Sequence, residues 1–168
     1  TLSIRLSTDG FSFSIYNPIH DDSLSIIEKE IDTSLSLTAN LKAVFHESDF
    51  LNHPYKRVNI MMASKRFTIA PLDLFEEGQA ELLFYHNHQK RENETVLYNI
   101  LRKNNVAVIF GIDKSAQTFL NEQYPEARFY SQSTPFIDYF SVKSRLGNSK
   151  KMYASIRKDG IDIYCFER

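Results

Sequence analysis

The sequence predicts a mixed α/β fold whose opening unit, a tight amphipathic hairpin, recurs at the end of the chain. Three observations predict it. Leu2, Ile4 and Leu6 alternate with Ser3, Arg5 and Ser7, and after Asp9-Gly10 the alternation resumes through Phe11, Phe13 and Ile15. The same design returns as Met152, Ala154 and Ile156, then Asp159-Gly160, then Ile161, Ile163 and Cys165. Between the two hairpins, strand-like runs alternate with helical stripes, which is the pattern of a sheet carrying helices on its faces.

Asp-Gly tolerates the two positive φ values of a type I′ turn, so Asp9-Gly10 and Asp159-Gly160 are placed at the hairpin tips. That geometry sets Leu6 opposite Phe13 and Ile4 opposite Ile15, all on one face. In the second copy it sets Ile156 opposite Ile163 and Ala154 opposite Cys165. The apolar phase is the expected core face of both copies. The chain therefore reads as a duplicated fold whose second copy is cut short, and the unpaired terminal hairpin is expected to be covered by the first domain or by a neighbouring chain.

Asn17-Pro18 ends the first ladder, and His20-Asp21-Asp22 makes a polar turn into a third strand within residues 24–31. Ser34 or Ser36 can cap the next helix, whose stripe is Leu37, Leu41, Val44 and Phe45. Val58, Ile60 and Met62 share one phase of a strand, and a short strand at residues 66–69 follows it. Pro71 suits a first helical turn, residues 72–88 read as helical, and Gly78 is a point of breakage. Residues 96–101 and 106–112 are strands around a tight turn, the second apolar enough to be covered on both faces. Asp113 can cap a helix with the stripe Ala116, Phe119, Leu120 and Tyr124, which Pro125 closes. A strand at 127–130 and a helix opened by Ser133-Thr134-Pro135 and ended near Gly147 complete the first copy.

Twenty basic against 21 acidic residues give a net charge of −1, so no electrostatic footprint for nucleic acid is present. Lys143, Arg145, Lys150 and Lys151 read as a solvated helix end. No apolar run approaches a membrane span, so direct membrane insertion is not expected. The lone Cys165 excludes an internal disulfide, fits a reducing, cytoplasmic setting and is placed in the core. No G-x-G-x-x-G or G-x-S-x-G occurs. His86 and His88 stand two apart on a helical stretch, where their rings diverge, unlike the i, i+4 spacing of a zinc helix.

The order of elements, with the doubled hairpin, resembles one half of the actin-like ATPase fold, each half of which is ribonuclease-H-like and begins with such a hairpin. Residues 2–16, the run from Val58 through Ser64 to Pro71 with Leu74-Phe75, and residues 152–166 resemble segments of a Bacteroidetes family catalogued as domain of unknown function 3822. The middle of the chain is similar to the pilus-assembly and cell-division branch of actin-like proteins, which carry an inserted subdomain. The resemblance implies a first half over residues 1–148, an insertion at about 65–105, and the opening hairpin of a second half over 149–168.

The resemblance also implies ATP bound between two halves, with phosphates on the hairpin turns. A carboxylate two positions before each turn glycine would organise magnesium. Counting back from Gly10 gives Thr8, and from Gly160 gives Lys158. Neither is a carboxylate, and lysine repels the metal. Asp9 and Asp159 read as turn formers. The reading is thus a non-catalytic binding or assembly module with no cofactor, which binds a protein partner or itself through the insertion. Its alternative is an ATP- and magnesium-dependent protein using Thr8, Asp9, Gly10, Lys158, Asp159 and Gly160 once a second half is supplied. A ribonuclease-H-type nuclease would need acids on the first strand. Its polar face offers Ser3, Arg5 and Ser7 instead.

Overall fold

A computed structural model describes residues 1–19, 23–146, 150–158 and 160–166. The expected polar turn at His20-Asp21-Asp22, the helix stop at Gly147 and the second turn aspartate, Asp159, lie outside the described residues.

The opening hairpin is β1 (Leu2–Ser7) and β2 (Gly10–Asn17), joined on its outer side by β3 (Ser23–Lys29). β4 (Val58–Ala63) adds in parallel on the inner edge of β1, and β8 (Arg128–Ser131) adds in parallel beyond it. The resulting order is β3-β2-β1-β4-β8. Alternation along β1 and β2 sends Leu2, Ile4, Leu6, Phe11 and Phe13 to one face, where all are buried. Two amphipathic helices cover that face, α1 (Leu37–Glu47) with Leu41, Val44 and Phe45, and α3 (Lys114–Gln123) with Ala116 and Leu120. Ser36 caps α1 through the Ala39 amide, while Ser34 bonds Asp32 instead. Asp113 caps α3 through the Ala116 amide.

A second, three-stranded antiparallel sheet interrupts this unit: β5 (Phe67–Pro71), β6 (Glu94–Leu101) and β7 (Val106–Asp113), in the order β5-β7-β6. Residues 72–88 do not form one helix. Short 3-10 turns at Leu72–Leu74 and Glu77–Gln79 precede α2 (Ala80–Asn87), so the chain turns at Gly78 where helix propensity is lowest. β7 is buried from Ala107 through Ile112, covered on both faces as its apolar run requires. Ile109 meets Phe84 of α2 on one side, and Val108 meets Ile137 and Tyr164 on the other. The Asn99 side chain ties the two sheets together, donating to Phe129 O at 2.9 Å and accepting from the Ser131 amide at 3.0 Å.

The chain then enters α4 (Ser133–Ser144) and the terminal hairpin β9 (Met152–Arg157) and β10 (Gly160–Cys165). Lys151 Nζ donates to the carbonyls of Lys143 and Leu146, closing the end of α4.

Two expectations for the hairpins are corrected. In the first, Leu6 faces Phe11 and Ile4 faces Phe13; in the second, Ile156 faces Ile161 and Ala154 faces Ile163. The loop of the first hairpin is Thr8-Asp9, neither with positive φ, and Gly10 follows it at φ +147°. The type I′ turn is therefore absent there. Because the register moves by two residues, side-chain parity is preserved.

The second correction is larger. The apolar phase of the terminal hairpin is not its packed face. Ile156 is 78% exposed, and Met152, Ile161 and Ile163 are likewise open to solvent, as is Cys165. The opposite phase is packed instead, with Tyr153 stacked on Phe140 at 4.4 Å and Tyr164 among Phe136, Phe140 and Ile137. Tyr153, Tyr164 and Phe166 give that phase enough aromatic area to bind α4 by itself. The hairpin thus has two apolar faces, and this chain covers one.

Candidate functional site

The candidate site is the junction where the two hairpins meet the start of α4. Gln132, the residue before α4, is buried. Its backbone amide donates to Met62 O at 2.8 Å, which pins it to the end of β4. The side chain does not cap the helix. Instead Oε1 accepts from Arg5 Nε at 3.1 Å, while Nε2 reaches Ser155 Oγ at 3.5 Å. Arg5 and Ser155 occupy matching positions of the repeat, four residues before Asp9 and Asp159. One buried amide therefore bridges equivalent points of the two copies, with α4 between them. Tyr164 extends the junction by donating to Ser133 Oγ at 3.2 Å, and burial raises its pKa. Arg157 and Asp162 pair across β9 and β10, both side chains mostly buried.

Asp9 at the first turn lies within electrostatic reach of Lys158 at the second. The Asp9 carboxyl is held below its ordinary value, first by hydrogen bonding from the Ser7 side chain, then by Arg5 at 3.9 Å and by Lys158, against a cost of burial. A depressed carboxyl stabilises the fold above the ordinary carboxylate range and loses that contribution as pH falls through its folded pKa. Each side chain of the Arg5–Asp9 pair is 29% exposed, so solvent screening keeps the effect small.

Of the six residues implicated under the ATP reading, Thr8, Asp9 and Lys158 lie exposed at the turns. Gly10 and Gly160 open β2 and β10, and Asp159 lies outside the described residues. The donor set does not fit a magnesium nucleotide held in the actin manner. Thr8 is neutral, Lys158 is cationic, and the carboxylate described at the turns, Asp9, is already engaged by Ser7 and Arg5. Among the described residues, no three of His, Cys, Asp and Glu are placed to share a metal. His88 is engaged elsewhere, with its ring nitrogen 3.0 Å from Phe67 O.

The two turn glycines differ in what they need. A Cβ on Gly10 would lie 2.9 Å from Lys29 O of the neighbouring backbone, at a φ that side-chain-bearing residues avoid. Among the described residues, a Cβ on Gly160 would meet only the Arg157 guanidinium, at 3.9 Å. Gly10→Ala should therefore lower stability by about 1–3 kcal/mol, and Gly160→Ala should stay within about 0.5 kcal/mol, as read by urea unfolding. Equal losses in both variants would contradict this asymmetry.

Beside the junction, α4 leaves part of the polar sheet face open as a groove of about 670 Å³, bordered by Ser3, Arg5, Ser14, Asn59, Thr134 and Asp138. Sequence reasoning missed Gln132, because no recognised motif in the sequence includes it. Its placement between a strand and Ser133-Thr134-Pro135 was the available signal.

No curated protein matches the chain. Among solved structures, a protein of Bacteroides thetaiotaomicron VPI-5482, described as having an actin-like ATPase fold and unknown function, is 82% identical and superposes with a TM-score of 0.95. The match covers 99% of this chain and 65% of that one, so the chain spans about two thirds of that protein's length. The fold here is accordingly the actin-like ATPase fold. The family model described as "Protein of unknown function (DUF3822)" matches residues 1–168, and the chain belongs to that family.

Proposed function

We propose that the chain is part of a cytoplasmic, non-catalytic binding or assembly module of actin-like fold. The observation that carries the reading is the chemistry of the turns: Thr8 and Lys158 stand where a magnesium-organising pair of carboxylates would be needed. No helix among the described residues is long and apolar enough to cross a membrane. The inserted sheet with α2 is the proposed contact, since Leu74 and Leu82 are about 70% exposed there. Asp73, Glu76, Glu77 and Glu81 lie in the same stretch of sequence, a setting that favours a basic partner surface.

The test is a Leu74→Arg, Leu82→Arg variant of the complete protein, followed by sedimentation velocity and affinity capture. Loss of a complex, with circular dichroism unchanged, is expected. A protein that stays a solitary monomer with no captured partner under all conditions contradicts the reading. A second reading, ATP binding or phosphotransfer by a completed protein, draws on Lys158 lying within electrostatic reach of Asp9.

A further inference from the structure

The two faces of the five-stranded sheet are built differently. Under α1 and α3 the floor is Leu2, Ile4, Leu6 and Phe13, all buried. The opposite phase of the same strands carries short polar side chains. Ser14, Ser3 and Asn59 stand side by side on β2, β1 and β4, and Arg128 of β8 continues that row. β1, β4 and β8 run parallel, and parallel strands are ordinarily covered on both faces. α4 covers this face only in part and leaves the groove of about 670 Å³, a volume within the range of small-molecule sites. An apolar helix laid here would bury hydroxyls, an amide and guanidinium groups without partners, a cost the other face never meets.

The groove is also unbalanced in charge. Its lining holds three arginines, Arg5, Arg57 and Arg128, and one acid, Asp138. Arg5 is already committed to Gln132 and Asp9. Among the described residues, the guanidinium groups of Arg57 and Arg128 have neither a hydrogen bond nor an ion pair. Both flank Asn59: Arg128 lies beside it across the ladder, and Arg57 stands two residues ahead of it, just before β4. Like charges brought together on neighbouring strands are unfavourable, and an anion set between them removes the conflict. With Arg5 set against Asp9, two arginines and Asp138 leave a surplus of one positive charge.

We infer that this groove binds a small organic carboxylate, its charged oxygens held by Arg57 and Arg128 and its body lying on the apolar surface of Met61, Leu101 and Tyr130. Guanidinium groups match a carboxylate in geometry, and the single surplus charge matches a monoanion better than a phosphoryl dianion. Ser3, Ser14 and Asn59 offer further polar contacts along the floor. The site is not that of the turns. Arg57 and Arg128 lie at the starts of β4 and β8, whereas Thr8 follows the end of β1, which runs parallel to both. The inference is therefore independent of the readings given above for the turns and for the inserted sheet.

Titration calorimetry of the complete protein with 1-naphthoate, against 1-naphthol and 1-naphthyl phosphate, tests the site. Saturable binding of the carboxylate with a Kd of about 1 mM or tighter is expected, with the uncharged naphthol at least about tenfold weaker. Replacing both arginines, Arg57→Gln with Arg128→Gln, should weaken the carboxylate at least about tenfold. Both positions are exposed, so the melting temperature should not move. Ser14→Leu should abolish binding by filling the floor while both arginines remain. Arg145→Gln, at the far end of α4, should bind as the parent does. No heat from the carboxylate, equal affinity for the naphthol, or binding that survives the double arginine substitution each overturns the inference. Tighter binding of the naphthyl phosphate than of the carboxylate overturns the assignment of ligand class.

Discussion

Truncating Phe13 to alanine is expected to cost about 3–5 kcal/mol, whereas truncating Ile163, its counterpart in the repeat, is expected to cost under about 0.5 kcal/mol in the 168-residue chain. Phe13 is fully buried against α1 and the following turn, with its ring 5.6 Å from that of Phe50 in an edge-on contact. Removing it leaves a cavity between β2 and two helices that are themselves braced by neighbours, so the void cannot collapse. Ile163 is 60% exposed, and alanine there removes little that water did not already touch. Chemical denaturation of the two variants checks this directly. Comparable losses would mean that the outward face of the terminal hairpin is packed after all.

Phe84→Ala is the second large effect, expected at about 3–5 kcal/mol. Phe84 is fully buried at the centre of the inserted unit. Its ring lies 5.2 Å from that of Tyr85, 4.5 Å from that of His88, and 5.4 Å from the Arg66 guanidinium. Arg66 in turn forms a two-point bond with Glu94, at 2.7 and 2.6 Å, across the mouth of the insertion. Gly111 leaves room for that pair, since a Cβ would fall within van der Waals overlap of the Glu94 carboxylate. Losing the ring therefore removes both the α2 anchor and one wall of the ion pair. Hydrogen exchange should accelerate most in α2, β5 and β7, with the β1–β4 pairing less affected. Uniform acceleration through both sheets would show instead that the two units unfold as one.

Much of this fold was legible in the sequence because its signals were local. Ser36 and Asp113 announce helix starts that the structure realises, and the apolar run of β7 announces a strand covered on both faces. What escaped reading depended on atoms far away in sequence. Asp9-Gly10 has the composition of a type I′ turn, but Gly10 is required for another reason, the Lys29 carbonyl that β3 brings against it. Alternation in the terminal hairpin identified an apolar face correctly and misjudged which face is covered. The choice was made by Tyr153, Tyr164 and Phe166 on the other phase, which find Phe136 and Phe140 of α4. Cys165, read as a core residue, is exposed by the same inversion. At the candidate site, the residue types at the turns, Thr8 and Lys158, are readable directly from the sequence. The bridge through Gln132 is not, since Arg5 and Ser155 are brought to it only by tertiary structure.

In the proposed reading, the turns lack the carboxylates that would organise a magnesium nucleotide. Titration calorimetry of the complete protein with ATP and magnesium tests this most directly. No binding heat is predicted up to millimolar nucleotide, with no change when Lys158 is replaced by alanine. Micromolar binding that disappears when Gly10 and Gly160 are replaced by bulky residues, in variants that remain folded, would contradict it.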